Sequence, residues 1–293
     1  MSVRNHGPGR TADIRADGIR RASPPLVEPR TPGDSRRRVA IVMPAYDEEV
    51  SIGPIIRALP RDSTDVRYRV FVCDDGSTDR TFRAAEAAGA TVVRHSHNRG
   101  IGAALTTGFE AALEWQPDVV VQIDADGQHD PTLIPQLTAP ILARDADYVI
   151  GSRFLTGAVG LDPVRRVGVR LYTLLVRAFV GLSITDVTSG FRAFRTEAYP
   201  RLSIRSENNW ALEMTLRAGL NRLRVVEVST PYLARVGGRS QFAIRRMFVV
   251  YHFRVVKQVF RAYTASSQKR GNPSNPSEVS VGFTAPTSPL RRR

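Results

Sequence analysis

Short apolar runs rich in Val and Ile alternate along this chain with longer stretches whose apolar positions recur every three to four residues. The runs at 39–44, 68–73, 90–94, 119–123 and 147–151 predict buried β-strands. The stretches between them, at 49–59, 78–89, 101–115 and 131–144, predict helices. Pro54 is tolerable in the first turn of the first helix, and Gly89 is a natural stop for the second. Strands that alternate with helices of roughly 10–15 residues imply a parallel sheet with crossover helices. Further on, 171–182 reads as another apolar helix and 242–261 as an amphipathic one. No internal repeat is evident.

The ends break this pattern. Residues 1–38 combine Arg, Pro and Gly with too little apolar surface to fold, and 264–293 is rich in Ser, Pro and Asn, so both are expected to be disordered basic tails. The first 38 residues hold no apolar stretch of signal-peptide length, and neither end contains a membrane span, which sets the expectation of a cytoplasmic protein. The expected organisation is a basic arm at 1–38, a catalytic domain at 39–241, an interface helix at 242–263 and a tail at 264–293. Over 293 residues the net charge is +14, which at first suggests a nucleic-acid partner. Its distribution argues otherwise, because 1–38 carries +5, 242–261 carries +5 and 262–293 carries +4, leaving 39–241 neutral. Such a core lacks the basic, aromatic-studded face that strand recognition uses, so no nucleic acid is expected as a partner. The single cysteine, Cys73, sits in an apolar run and excludes both an internal disulfide and a cysteine-rich zinc site.

Charge of the opposite sign is concentrated where the strands end. Asp74-Asp75-Gly76-Ser77 and Asp124-Ala125-Asp126-Gly127-Gln128 each close a strand, at the carboxyl edge where open α/β sheets place ligands. Carboxylates crowded there repel each other unless a cation sits between them. An Asp-X-Asp pair with a nearby amide oxygen offers the hard ligands that Mg²⁺ or Mn²⁺ takes, leaving room for substrate phosphates. In the loop after the first strand, Tyr46 can stack on a base while Glu48 or Glu49 takes a ribose hydroxyl; helix capping by Asp47 is the structural alternative. His95 and His97 alternate near a strand end but lack a third ligand. Glycines at 100–108 do not have the spacing of a dinucleotide fingerprint.

Taken in order, several stretches resemble family 2 glycosyltransferases of GT-A fold. Within that group the chain is similar to polyprenyl-phosphate sugar synthases such as the dolichyl-phosphate mannose synthases. The resemblance covers about 39–241 and rests on Val42-Met43-Pro44-Ala45-Tyr46-Asp47-Glu48-Glu49, Asp74-Asp75-Gly76-Ser77-Thr78-Asp79, Asn98-Arg99-Gly100, Asp124-Ala125-Asp126-Gly127-Gln128-His129, Gly151-Ser152-Arg153, the segment 186–192 and the segment 235–240. Two positions depart from the family: Asp47 stands where Asn is usual, and Gln241 where Lys is common. The resemblance implies an α/β GT-A sheet, mostly parallel and flanked by helices. It places Pro44, Tyr46, Glu48, Asp74, Asp124 and Asp126 on the nucleotide sugar, and Asp126, Gln128 and Asp124 on a divalent metal. The implied donor is GDP-mannose or UDP-glucose, and the implied acceptor a polyprenyl phosphate.

Arginine suits phosphate because its planar fork donates two hydrogen bonds and stays charged. Arg153, Arg166 and Arg235, with Ser240, are therefore the candidates for the acceptor phosphate, while Arg165, Arg170 and Arg239 lie close by in sequence. At 100° per residue Arg246, Arg254, Lys257 and Arg261 fall within about 80° of one another. Crossing a bilayer with such a helix would cost about 3 kcal/mol per central charge, so it is expected to lie on the cytoplasmic face of a membrane. The expected reaction is inverting displacement at the anomeric carbon, with Asp126, Arg153 and Arg235 catalytic. A phosphate acceptor is already anionic and needs no strong base; a hydroxyl acceptor does, and Glu213 is the candidate. Transfer to a soluble hydroxyl acceptor is the alternative enzyme, and a basic nucleic-acid-binding module the non-enzymatic one.

Overall fold

The computed structural model describes residues 20–21, 30, 33–155, 157, 163–204, 206 and 209–235. The expected interface helix and C-terminal tail, with Arg239, Ser240 and Gln241, lie outside the described residues.

The apolar runs form one sheet, whose strands are β1 (Arg20–Arg21), β2 (Arg37–Ala45), β3 (Val66–Asp74), β4 (Thr91–Arg94), β5 (Val119–Gln122), β6 (Tyr148–Ser152), β7 (Arg192–Arg195) and β8 (Val225–Ser229). Their order is β1-β4-β3-β2-β5-β7-β6-β8. Strand β2 is central, parallel to β3 and to β5, with Val39 opposite both Tyr68 and Val119. Strand β7 runs antiparallel between β5 and β6, pairing Val121 with Ala193 and Tyr148 with Phe194. Because β6 and β8 run parallel to each other and oppose β7, the carboxyl ends of β2, β3, β5, β6 and β8 share one edge with the start of β7. The loop that feeds β7 therefore arrives at the acid-bearing edge, which an all-parallel reading of the strands would not place there.

Seven helices among the described residues cover the sheet: α1 (Ile52–Ala58), α2 (Thr81–Ala87), α3 (Ile101–Leu113), α4 (Ile134–Leu142), α5 (Pro163–Val180), α6 (Tyr199–Leu202) and α7 (Trp210–Leu220). Alternation in β2 explains why both faces need cover. Val39, Ile41 and Met43 join a core with Ile52 and Ile56 of α1 and Ile134, Leu137 and Ile141 of α4. Val42 points the other way, so close to α3 that a Cβ on Gly108 would lie 2.7 Å from its Cγ1. Each aliphatic side chain fully buried in this way contributes about 1.5–3 kcal/mol.

Local departures have identifiable causes. Strand β2 begins at Arg37 rather than at residue 39, because Arg38 is buried against Trp115, donating to its carbonyl at 2.9 Å with its guanidinium 5.3 Å from the ring centroid. Within the expected arm, Arg20 and Arg21 pair antiparallel with β4, and Arg30 meets Asp118 at 2.6 Å. Helix α1 starts at Ile52 rather than at residue 49, since Asp47, Glu48 and Glu49 are committed to contacts with the loop after β3. The expected helix at 131–144 is a 3-10 turn, Pro131–Leu133, capped by Asp130 and continuing into α4. Helix α5 is longer than the apolar stretch at 171–182 suggested and takes in Arg166 and Arg170. Among the described residues no helix is long and apolar enough to cross a membrane.

Candidate active site

Six loops at the shared edge build the site, those after β2, β3, β5, β6 and β8 and the one that feeds β7, and the first two brace each other. Asp47 adopts φ 53°, and its amide donates to Ser77 Oγ while its Oδ1 accepts from the Thr78 amide at 2.7 Å. The Glu48 amide donates to Thr81 Oγ1 at 2.7 Å, the Glu49 amide donates to Asp79 Oδ2, and the Arg80 amide donates to Glu49 Oε2. Asp79 also accepts from the Thr81 amide, at the start of α2, at 2.8 Å. The capping expected of Asp47 is thus directed across to the neighbouring loop, and Glu49 is a brace as well. Asp47 tolerates the left-handed backbone because a short polar side chain can be held locally.

The acids after β3 organise backbone. Asp74 is fully buried, accepts from the Ser77 amide at 2.9 Å and lies 3.1 Å from Arg94 Nε. Asp75 accepts from the Arg99 and Gly100 amides, and lies 2.6 Å from His95 Nδ1. His95 also reaches Thr107 Oγ1 at 3.0 Å, so this histidine links loop to helix rather than joining His97 in a ligand pair. Gly76, at φ 75°, allows the turn to pass the backbone of His97, where a Cβ would lie 2.4 Å from the carbonyl carbon.

The acid loop after β5 is the centre of the constellation. Asp124 Oδ1 accepts from Gln122 Nε2 at 2.8 Å, and its Oδ2 lies 3.7 Å from His129 Nε2. Asp124 is seated against Gly190, where a Cβ would lie 2.2 Å from Oδ2. Only glycine at 190 leaves that space, and it comes from the loop that feeds β7. Asp126 Oδ1 accepts from the Gln128 amide, and its Oδ2 lies 3.2 Å from Arg235 Nη2. The same Nη2 lies 3.0 Å from Glu48 Oε1, while Glu48 Oε2 accepts from Ser51 Oγ at 2.6 Å. Burial pushes the Glu48 carboxyl above its ordinary range; the Ser51 hydroxyl and Arg235 pull it back down and Asp126 adds to the rise. The loop after β8 that carries Arg235 is itself tied to the acid loop, the Leu233 amide donating to the Gln128 carbonyl at 3.0 Å.

Arg153 follows β6 and is almost wholly buried. Its Nε and Nη2 clasp Asp186 at 2.6 and 2.8 Å, and Nη2 also donates to Thr188 Oγ1. Burial alone would lower the Arg153 pKa, and the Asp186 hydrogen bond and charge more than offset it. Burial likewise raises Asp186, yet Arg153 holds its carboxyl below the ordinary value. Glu227 of β8 fixes this loop, accepting from the Thr185 amide and hydroxyl and from the Asp186 amide. The Arg153 guanidinium stacks 5.1 Å from the Tyr232 ring centroid, and that ring lies 6.0 Å from His129.

Of the residues expected at the site, Glu48 and Asp126 meet on Arg235, and Asp124 and Gln128 share the loop of Asp126. Pro44 lies within β2 and Tyr46 just beyond it, part-exposed. Arg166 is on α5 and half-buried. Glu213, on α7, accepts from the Ser206 amide and hydroxyl and from Arg217 at 2.9 Å. Gly190, Asp186 and Glu227 had no role in the sequence reading. The segment 186–192 was visible as a motif, but its work depends on partners 33 or more residues away. Glu227 offered one signal, a lone acid in an apolar strand.

Among the described residues no three His, Cys, Asp or Glu side chains converge on a metal position. The donor set still suits a hard divalent cation, which takes one or two carboxylates and completes its shell with water and substrate phosphates. Asp126 Oδ2 already faces a positive group, Arg235.

Residues 40–202 match the family model described as Glycosyl transferase family 2. An undecaprenyl-phosphate mannosyltransferase of Micrococcus luteus is 33% identical over 217 residues, covering 70% of this chain and 88% of that protein. A polyprenol monophosphomannose synthase of Mycolicibacterium smegmatis is 29% identical, covering 71% and 82%. Among solved structures, a glucosyl-3-phosphoglycerate synthase from Mycobacterium tuberculosis, in complex with Mn²⁺, UDP-glucose and phosphoglyceric acid, superposes with a TM-score of 0.55 at 26% identity, covering 70% of this chain and 73% of that one.

Proposed function

Since this chain belongs to glycosyl transferase family 2 and has the GT-A fold, we propose that it moves a hexose, mannose or glucose, from a nucleotide sugar to a polyprenyl phosphate at a membrane surface, with inversion. The observation that carries the choice of acceptor is the outer face of α5. Val167, Leu171 and Leu174 are 67%, 59% and 59% exposed. At 100° per residue they fall within about 60° of one another, with Arg166, Arg170 and Arg177 along one flank. Val169, Tyr172 and Val176 bury the opposite face. An exposed apolar stripe beside a row of arginines suits a surface of acyl chains and anionic headgroups. The names of the sequence relatives support the same acceptor class.

At the acid loop, Asp124, Asp126 and Gln128 would hold a divalent cation, Mg²⁺ or Mn²⁺. When bound, the cation supplies positive charge against the charge that grows on the leaving diphosphate. The bracing of the β2 and β3 loops holds Pro44, Tyr46, Glu48 and Asp74 at the edge where the nucleotide is read. Gly190 keeps Asp124 in place, and the Asp186–Glu227 pairing fixes the loop that clasps Arg153. Arg235 and Arg166 are the cations proposed for the acceptor phosphate, with Ser240 beyond the described residues. An acceptor phosphate oxygen attacks as an anion, the bond from the anomeric carbon to the diphosphate oxygen breaks, and no proton needs to be removed. That fits Glu213 being committed to Ser206 and Arg217. On this reading the protein works peripherally, on the cytoplasmic face of the membrane.

A second reading, transfer to a hydroxyl of a soluble acceptor, is favoured by the likeness to the phosphoglyceric-acid complex. The double variant Leu171→Asp/Leu174→Asp separates the two. On the lipid reading it loses co-flotation with vesicles containing anionic lipid, and transfer to a long-chain polyprenyl phosphate drops at least about tenfold, a loss of ~1.4 kcal/mol or more. Hydrolysis of the donor stays unchanged. Flotation and lipid transfer equal to wild type would remove the α5 surface from the account.

A further inference from the structure

We propose that Arg235 is the resident counter-cation of the donor site, occupying the carboxylates until a divalent cation arrives and displaces it. The inference rests on the reading of Asp126 as a ligand of that cation. Three observations converge. One guanidinium nitrogen, Nη2, is shared between Asp126 Oδ2 at 3.2 Å and Glu48 Oε1 at 3.0 Å. Those two acids come from different loops, after β5 and after β2, and without a positive charge between them they would repel. Burial has already pushed the Glu48 carboxyl up, with Asp126 among the causes, and Arg235 works against that rise.

A small divalent ion approaches a carboxylate oxygen to about 2.0–2.1 Å and demands its own geometry. Placed on Asp126 Oδ2, it would come within a few ångströms of Nη2, where two like charges in a part-buried pocket repel strongly. The ion and the guanidinium therefore compete for the same oxygen. Arg235 can leave without unfolding the site, because its loop is anchored separately by the Leu233 amide on the Gln128 carbonyl and its side chain is 26% exposed. Once displaced, the guanidinium is a free donor of paired hydrogen bonds beside the arriving phosphates. One residue thus serves two anions in turn, carboxylates before the donor and phosphate after it. Affinity for the bare cation is held down, and cation and nucleotide are favoured as a joint ligand.

The test is Mn²⁺ titration followed by the electron paramagnetic resonance signal of the free ion, without nucleotide and with UDP. Arg235→Gln is expected to bind Mn²⁺ about tenfold more tightly than wild type without nucleotide, while Arg235→Lys, which keeps the charge, stays near wild type. Equal or weaker binding by Arg235→Gln, with Mn²⁺ still bound and Asp126→Asn abolishing it, would overturn the counter-cation role and leave the metal reading standing. Failure of wild type and of both Arg235 variants to bind Mn²⁺, even with UDP, would overturn both.

Discussion

Asp126→Ala is expected to lower sugar transfer by about a thousandfold, the scale on which one group aimed at developing charge acts in a preorganised site. Fold stability should change little. The Asp126 carboxylate is at the surface of the site and its contacts are local, the Gln128 amide at 3.0 Å and Arg235 at 3.2 Å. Removing it leaves Arg235 on Glu48 and takes away the carboxylate oxygen of the acid loop that faces Arg235. The loss should fall on kcat/KM for both sugar transfer and donor hydrolysis, and a urea midpoint within error of wild type would confirm that the chemistry, not the fold, was removed. Transfer close to wild type would end the assignment of the acid loop to the donor.

The largest effect on stability is expected from Asp186→Ala, at about 3–5 kcal/mol, because it leaves the buried Arg153 guanidinium without its carboxylate. The midpoint in urea should drop with little change in slope. Replacing both partners, as Arg153→Met/Asp186→Leu, should recover much of that stability, since two apolar groups need no pairing. It should not recover transfer. The pH dependence has a definite sign. Folding depresses the Asp186 pKa, so the stability it contributes is present above the unfolded carboxylate value of about 3.9, and is lost as pH falls through the lower folded value. Titrating the urea midpoint below pH 4 in wild type and the double variant reads this difference.

What was legible in the sequence follows from how far apart the interacting residues are. The buried parallel strands are local signals, runs of Val and Ile closed by acids, and β2, β3 and β5 are where those runs predicted them to within two residues. The carboxyl edge followed from that pattern alone, and with it the neighbourhood of Asp74, Asp124 and Asp126. The reversal of β7 was not legible, because a four-residue strand carries no mark of its direction. Its consequence, the packing of Gly190 on Asp124, was hidden with it. Arg153 illustrates a different gap. An arginine after a strand suggested a free phosphate binder, whereas Asp186, 33 residues on, engages its fork. Arg38 was assigned to the arm by its charge, yet its stem and guanidinium are covered by Trp115. Asp47 was read as a cap of the helix that follows it and Glu49 as a candidate for a ribose hydroxyl, while their partners lie across a crossover, at Ser77 to Arg80.

The central claim is that the acid loop delivers a hexose to a lipid phosphate. It is tested most directly by incubating the purified 293-residue chain with Mn²⁺ or Mg²⁺, a short-chain polyprenyl phosphate, and radiolabelled GDP-mannose or UDP-glucose in parallel. The label is then counted in the organic phase. The account predicts label from one donor, lost on adding EDTA and lost in Asp126→Ala. Label that stays in the aqueous phase, on a soluble acceptor or as free sugar, with none extracted, would contradict it.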